Sequence, residues 1–507
     1  MPDFQDADFF APAADIARRI RERKLSCVAV VDALSDRIKK HNSKLNAFVE
    51  IHLDENLKAA RLEAEMKDRM LKQHPNMDVG LLYGVPVAIK DDLAVSGMPL
   101  TNGSRLCGTE KKDSPNYQDA AVTRVREAGA IVLGKTHLPE FGHKGTTDNL
   151  LGKDGAKLVT VSPWDTTKTS GGSSGGSASA VAAGMAYLAL GTDIAGSVRI
   201  PASCCGVVGH KPTFGLVSRV ISGNAFSLWM IGPLARTVED TSLAMRVLAG
   251  PHPGDRFSRP LDPTDTFDLA RLQPGRLKIA WYPSLTGFPV DPDVEKLAFA
   301  ALEQTAKQAK IEIVQPREPY LDRKEGEALL GKLVDAAAID LLSYAMAAAK
   351  LETKEQYDAV AHKLNPTFAA FAKETAWKVD LQRYLAAQAA ITEFCEKRAA
   401  ERFQGFDLIA SPTLAVTPPD KTLPLGPAMV GKENTDPHLG WLFTWPANVT
   451  GEPAVSVPAA WTKDGLPVGV QLTARRGFDG LALRVSAMME KATPWVDRYA
   501  RLMLLRC

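Results

Sequence analysis

The run TSGGSSGGSASAVAAG, from Thr169 to Gly184, holds five glycines, five serines and no charge. Its glycines permit positive φ and close backbone approach, and its serines supply hydroxyls at a turn that feeds a helix beginning near Ser177. Three chemistries use such a turn. A phosphate-binding loop needs Gly-x-x-x-x-Gly-Lys-Ser/Thr, and no lysine follows these glycines before Lys211. Gly171 to Gly175 formally matches the G-x-S-x-G of a nucleophile elbow, but an elbow follows an apolar strand and Trp164 to Thr169 reads WDTTKT. The third is acyl transfer by serine and lysine, with an amine replacing imidazole as the base.

Working outward, GVPVAIK (Gly84 to Lys90) and AIVLGKT (Ala130 to Thr136) are β-rich runs separated by a predicted helix, Asp119 to Ala128. Strand, helix, strand predicts a parallel sheet. Lys90 ends the first strand, at the carboxyl edge where α/β sites are usually built. On the other side, GTDIAGSVRIPAS (Gly191 to Ser203) is a second glycine-containing turn around Ser197, and its successive N–H groups suit an oxyanion hole. On spacing alone, two helix-capping turns beside a surface lysine stay the simpler reading.

Further strand-like runs begin at Leu277, Ile311, Phe406, Pro453 and Gly469, whereas Glu325 to Ala400 and the first 75 residues read as helical. The chain has 507 residues, enough for one large enzyme fold or several domains. With 61 basic and 59 acidic residues it carries +2 and no block of like charge, which disfavours nucleic acid and anionic membrane as partners. Ala178 to Leu190 is shorter than the roughly 20 residues of a membrane span. The acidic start (Asp3, Asp6, Asp8) does not read as a secretory signal. Cys27, Cys107, Cys204, Cys205, Cys395 and Cys507 form no CxxC pair, which fits a reducing cytoplasm. Nine histidines include no H-E-x-x-H, so neither metal nor cofactor is expected. No Ser-x-x-Lys occurs, which removes the β-lactamase type of Ser/Lys hydrolase.

GGSSGGSASAVAAG, followed by ALGTDIAGSVRIPASCCGVVGHKPTFGLVS, resembles the signature of the amidase signature family. The agreement extends to GVPVAIKDDL from Gly84, GKTHLPEFGHKGTTDN from Gly134, NVTGEPAVSVP from Asn448 and GLPVGVQL from Gly465, in the family's order over nearly the whole chain. The resemblance implies an α/β fold whose large, mixed, mostly parallel central sheet is covered by helices on both faces. It divides the chain into an N-terminal helical region (1–75) packing on the core and an amidase signature domain (76–507). Within that domain a signature core spans about 84–215, a helical insertion or cover about 290–400, and the C-terminal part of the sheet about 405–507.

By the same resemblance Lys90 is the catalytic base, Ser173 a bridging serine on a cis peptide after Gly172, and Ser197 the nucleophile. Backbone N–H groups of Ile194, Ala195, Gly196 and Ser197 would hold the oxyanion. Ala195 stands where the family usually has glycine, and a negative φ is expected there. His137, where the family often has Asn, is expected as a hydrogen-bonding neighbour, and His210 as structural. Asp193 and Arg199 are expected as a buried scaffold pair, because two charges beside a desolvated lysine need internal partners. Gly142, His143, Thr146, Gly172, Trp441, Phe443 and Trp445 are expected to border the substrate, although core packing explains the alternating aromatics equally well. A free lysine titrates near 10.4, so a neutral amine at pH 7 needs a downward shift of about three units from burial and dipoles. The implied activity is hydrolysis of small or medium apolar amides, and carbamates, anilides and esters share its acyl-enzyme route. The glutamine-hydrolysing chain of an amidotransferase, its A subunit, is the alternative within the family, but the RRIMLGTY-like segment of that chain is replaced by DLQRYLAAQAAITEF from Asp380. A catalytically silent scaffold is the alternative of another class, and loss of any triad residue would indicate it. A homodimer is common in the family.

Overall fold

The computed structural model describes residues 4–111, 117–220, 228–271, 277–398, 401 and 403–503, so Asp3 and Cys507 lie outside the described residues. Among these, ten strands form the central sheet: β1 (Pro86–Lys90), β2 (Ile131–Thr136), β3 (Leu188–Asp193), β4 (Val208–Lys211), β5 (Met230–Ala235), β6 (Lys278–Trp281), β7 (Glu312–Val314), β8 (Leu408–Pro412), β9 (Ala454–Trp461) and β10 (Pro467–Ala474). Their order is β7-β6-β8-β10-β9-β4-β5-β3-β1-β2. The sheet is mixed. β2, β1 and β3 pair in parallel at one end, and β7, β6 and β8 at the other. The strands between them pair antiparallel.

Every residue of β1 to β5, β8 and β10 is buried. Successive side chains point to opposite faces of a strand, so unbroken burial means that both faces are covered. The N-terminal helices α1 (Ala13–Arg21), α2 (Cys27–Leu45) and α3 (Leu53–Gln73) share the sheet's core and do not build one of their own. Ser26 caps α2, its hydroxyl accepting the Ala29 N–H at 3.0 Å. Within the expected insertion, α8 (Pro292–Ala309) packs on β8, β9 and β10, and β7 is the sheet's edge strand. The helices that leave the sheet are therefore α9 (Arg323–Ala348), α10 (Lys354–Val360), α11 (Pro366–Glu374) and α12 (Leu381–Arg398).

Two short helices position the serine turns: α5 (Gly175–Ala182), after the first turn, and α6 (Arg199–Cys205), after the second. Every residue of α5 is buried, and all but Val181 are Gly, Ser or Ala. Small residues let it run close under the sheet. Gly176 is pressed against the Ala47 carbonyl and the His137 backbone, so no side chain fits there.

Candidate active site

Parallel pairing of β1 and β3 brings their carboxyl ends to one edge of the sheet, with Lys90 closing β1 and Thr192-Asp193 closing β3. The serine turns arrive at this edge. Lys90 Nζ lies 2.7 Å from Ser173 Oγ, 2.6 Å from Thr192 Oγ1 and 3.3 Å from Asp92 Oδ2. The peptide bond between Gly172 and Ser173 is cis, at the expected position. Ser174 is turned elsewhere, its hydroxyl lying 3.2 Å from the Thr192 carbonyl and its N–H donating to the Ser197 carbonyl at 3.0 Å. That second bond ties the two serine turns together.

The surroundings of Lys90 shift it toward its neutral form. Its amine is fully buried, and burial lowers its pKa although Asp92 and Asp193 pull the other way. The Thr192 hydroxyl donates to Asp92 Oδ2 at 2.6 Å, so its oxygen is left to accept an N–H of Lys90. A neutral amine has two N–H groups and one lone pair. In that form, N–H groups directed to Thr192 and Asp92 would leave the lone pair for the hydroxyl of Ser173.

The turn at Ser197 is held from behind by buried charge. Arg199 donates to Asp193 Oδ2 at 3.1 Å and to Oδ1 at 2.9 Å, and also to Gln471, Asn448 and the Thr444 carbonyl, each at 2.6 Å. Burial alone would raise the Asp193 carboxyl, but Arg199, Lys211 and Asn448 outweigh it and hold the pKa at about 2. Both charges are paired, as expected of a scaffold. Asp193 in turn accepts the N–H of Gly196 at 2.8 Å and of Val198 at 3.1 Å. The Gly196 N–H, one of the expected oxyanion donors, is therefore spent inside the protein. The N–H groups of Ile194, Ala195 and Ser197 have no such acceptor among the described residues. Gly196 adopts φ 126°, while Ala195 stays out of the positive-φ region. The loop thus absorbs the alanine without a left-handed conformation there.

Ser173 and Ser197 differ in access: Ser173 is 2% exposed and Ser197 8%, and only Ser197 lines the adjoining cavity. This cavity is small, about 50 Å³, and lies beside Gly142, His143, Ile194 and Ala195. Its far walls are apolar: Leu333, Val334 and Leu341 of α9, Phe371 of α11, and Leu439 and Leu442. Of the expected substrate residues, Gly142 and His143 are brought to the cavity, with Gly142 beside Ser173 Oγ. Trp441, Phe443 and Trp445 are not, since all three are completely buried in the core behind it. They share one face, but that face turns inward, and Leu442 between them lines the cavity. Thr146 also stands back, donating its hydroxyl to the Pro424 carbonyl at 2.8 Å. Gly172 packs against the carbonyls of Lys144 and Thr146, away from the cavity walls.

Sequence reasoning expected loops and the helical insertion to line the pocket but named no residue of α9 or α11, and it missed Thr192, which orients Lys90. The helical cover is fastened to the site loop. Asn365 donates its N–H to Glu140 at 2.5 Å and its amide to Asp148 at 3.0 Å, and His143 Nε2 lies 2.9 Å from the Thr367 hydroxyl. His137 is buried and held to a pKa of about 4 by that burial, accepting from Asn149 at 2.9 Å. His210 sits 3.2 Å from Asp479, away from the cavity.

Fold and cluster together set a buried lysine beside two serine turns at one edge of a mixed sheet. Residues 29–483 match the family model described as Amidase. The chain is 34% identical over 506 residues to an acylamidase of Rhodococcus erythropolis, covering 96% of each. It is 32% identical over 510 residues to the A subunit of the glutamyl-tRNA(Gln) amidotransferase of Gloeothece citriformis, covering 96% of this chain and 99% of that one. Among solved structures, a bacterial aryl acylamidase of the amidase signature family superposes with TM-score 0.85 at 28% identity, covering 98% of this chain and 99% of that one. A 6-aminohexanoate cyclic dimer hydrolase complexed with substrate superposes with TM-score 0.82 at 27% identity, covering 98% and 100%. This chain belongs to the amidase family. It is an enzyme that hydrolyses amide C–N bonds, and no helix among the described residues is long and apolar enough to cross a membrane.

Proposed function

We propose that Lys90, Ser173 and Ser197 act as base, bridge and nucleophile in the hydrolysis of small or medium amides with apolar character. The observation that carries this is the fully buried Lys90 amine, 2.7 Å from Ser173 Oγ, with the Thr192 hydroxyl and Asp92 as its other polar neighbours. Lys90 takes the proton of Ser173, which takes that of Ser197 as its oxygen attacks the carbonyl carbon. Backbone N–H groups of the 194–197 turn stabilise the oxyanion, with Ile194, Ala195 and Ser197 as the available donors. The proton returns along the chain to the leaving amine, the C–N bond breaks, and water then releases the acid from Ser197. Carbamates, anilides and esters fit the same route.

The apolar wall of α9 and α11 favours this reading over glutamine hydrolysis, because the charged α-ammonium and α-carboxylate of glutamine would find no partner among Leu333, Val334, Leu341 and Phe371. The backbone is also nearer to that of the aryl acylamidase, TM-score 0.85, than to the homologous amidotransferase chain of Thermotoga maritima, TM-score 0.67. A cytoplasmic location agrees with the five cysteines that form no disulfide among the described residues. A homodimer is proposed from the family resemblance alone.

The test is amine release from amides, anilides, carbamates and glutamine by wild type, Lys90→Ala and Ser197→Ala, each checked for folding. Turnover of apolar amides should fall at least about 1,000-fold in both variants. A fluorophosphonate should label the peptide containing Ser197. Activity that survives Ser197→Ala overturns the assignment of the nucleophile, and activity on glutamine alone returns the amidotransferase reading.

A further inference from the structure

Helix α9 turns Leu333, Ala337 and Leu341 toward the cavity that holds Ser197. These residues recur every four positions and form one apolar stripe. Asp340 interrupts that side of the helix. It lines a second, smaller cavity with Ile194, Leu228, Trp229, Ala337 and Leu341. Ile194, Ala337 and Leu341 line both cavities, so the second adjoins the first beside the oxyanion turn. Among the described residues, Asp340 is the one ionisable side chain in its lining.

The Tyr384 side chain of α12 stands beside the carboxyl and favours its charged form. A bidentate pair nearby, Arg383 to Asp335 at 2.9 and 2.6 Å, locks α12 against α9 and so fixes Tyr384. A carboxylate offers about four acceptor positions, and a single phenol fills at most one. Burial pushes the Asp340 pKa up to about 7, with the Tyr384 hydrogen bond opposing. A ligand group that supplies donors to the carboxyl would relieve that cost.

We propose that Asp340 determines specificity at the remote end of the substrate site, selecting amides whose tail ends in an amine. The tail would run along the apolar stripe of α9, with its terminal N–H groups donating to Asp340 beside Tyr384. This rests on the proposed amide hydrolysis at Ser197.

Two matched substrate pairs test it: the 4-nitroanilides of heptanoic and 6-aminohexanoic acids, and acetamides carrying a heptyl or a 6-aminohexyl group on nitrogen. Wild type should favour the amine-tailed member of at least one pair. In Asp340→Leu the ratio of kcat/KM between the members of that pair should fall at least tenfold, through KM more than kcat, and Asp340→Glu should restore part of it. A contact that merely joins α9 to α12 would lower both members alike. Should Asp340→Leu fail to fold, inhibition of wild type keeps the test open, since hexylamine should compete with substrate more tightly than trimethylhexylammonium, which has no N–H. A ratio unmoved in folded Asp340→Leu, or equal inhibition by the two amines, overturns the role of Asp340 and leaves amide hydrolysis standing. Absence of turnover on every amide overturns both.

Discussion

Lys90 shows how much chemistry one side chain takes from its neighbours. The amine serves as a base only when neutral, so kcat/KM should rise with pH through the pKa of Lys90 and then level. Burial lowers that pKa from its ordinary 10.5, and Asp92 works against the shift. Replacing Asp92 by Asn removes a negative charge that favours the ammonium, so the rising limb should move to lower pH. A pH profile of kcat/KM for wild type and Asp92→Asn checks this, and a limb that moves upward assigns the titration to another group. The family resemblance, not spacing alone, singled out Lys90, Ser173 and Ser197 in the sequence, and the structure sets Lys90 against Ser173. Thr192 was not singled out, since nothing local marks a threonine at the end of β3 as the acceptor of an N–H from a lysine at the end of β1.

At the scale of elements, the turn from Asp193 to Arg199 is shaped by one glycine and one carboxylate. Gly196 takes φ 126°, and a Cβ there would overlap the Thr444 side chain, whose hydroxyl donates to the Ala195 carbonyl at 2.6 Å. Gly196→Ala should therefore displace Thr444 and the turn together. We expect a loss of about 100-fold in kcat, the usual scale for a misplaced oxyanion donor, and a lower melting temperature. Thermal unfolding and single-turnover acylation of the variant measure the two effects, and unchanged acylation would detach the turn from oxyanion binding. The segment at Trp441 teaches a different lesson. Alternation identifies residues that share a face, but both sides of an extended segment are buried here, so the pattern does not say which side meets the substrate. The stripe on α9 was hidden for a related reason, because apolar spacing on a helix reads as packing until the partner surface is known.

The whole molecule is built around a shared core. Arg37 of α2 donates to the Ala183 carbonyl at 2.6 Å and to the Leu502 carbonyl at 3.0 Å, joining the N-terminal helices to the end of α5 and to the C-terminal region. The Ala47 carbonyl accepts the His137 N–H at 2.9 Å, and the Val49 N–H donates to the Lys135 carbonyl at the same distance. A chain lacking residues 1–75 should thus fail to form the sheet edge at β2 and not fold independently. Soluble yield and cooperative unfolding by circular dichroism decide this, and a sharp transition for 76–507 would show that the helices are dispensable. The α/β class and the helical blocks were readable from periodicity. Strand order was not, because pairing between strands far apart in sequence leaves no local trace.

The base and the serine turns come from the sheet and the loops at its edge, while much of the wall facing Ser197 comes from α9 and α11, which do not join the sheet. These two sources of the site are free to mutate on separate schedules. Substitutions at Leu333, Val334 or Phe371 can remodel what is admitted without disturbing the proton relay, so this helical cover is where a gene library for altered substrate range belongs.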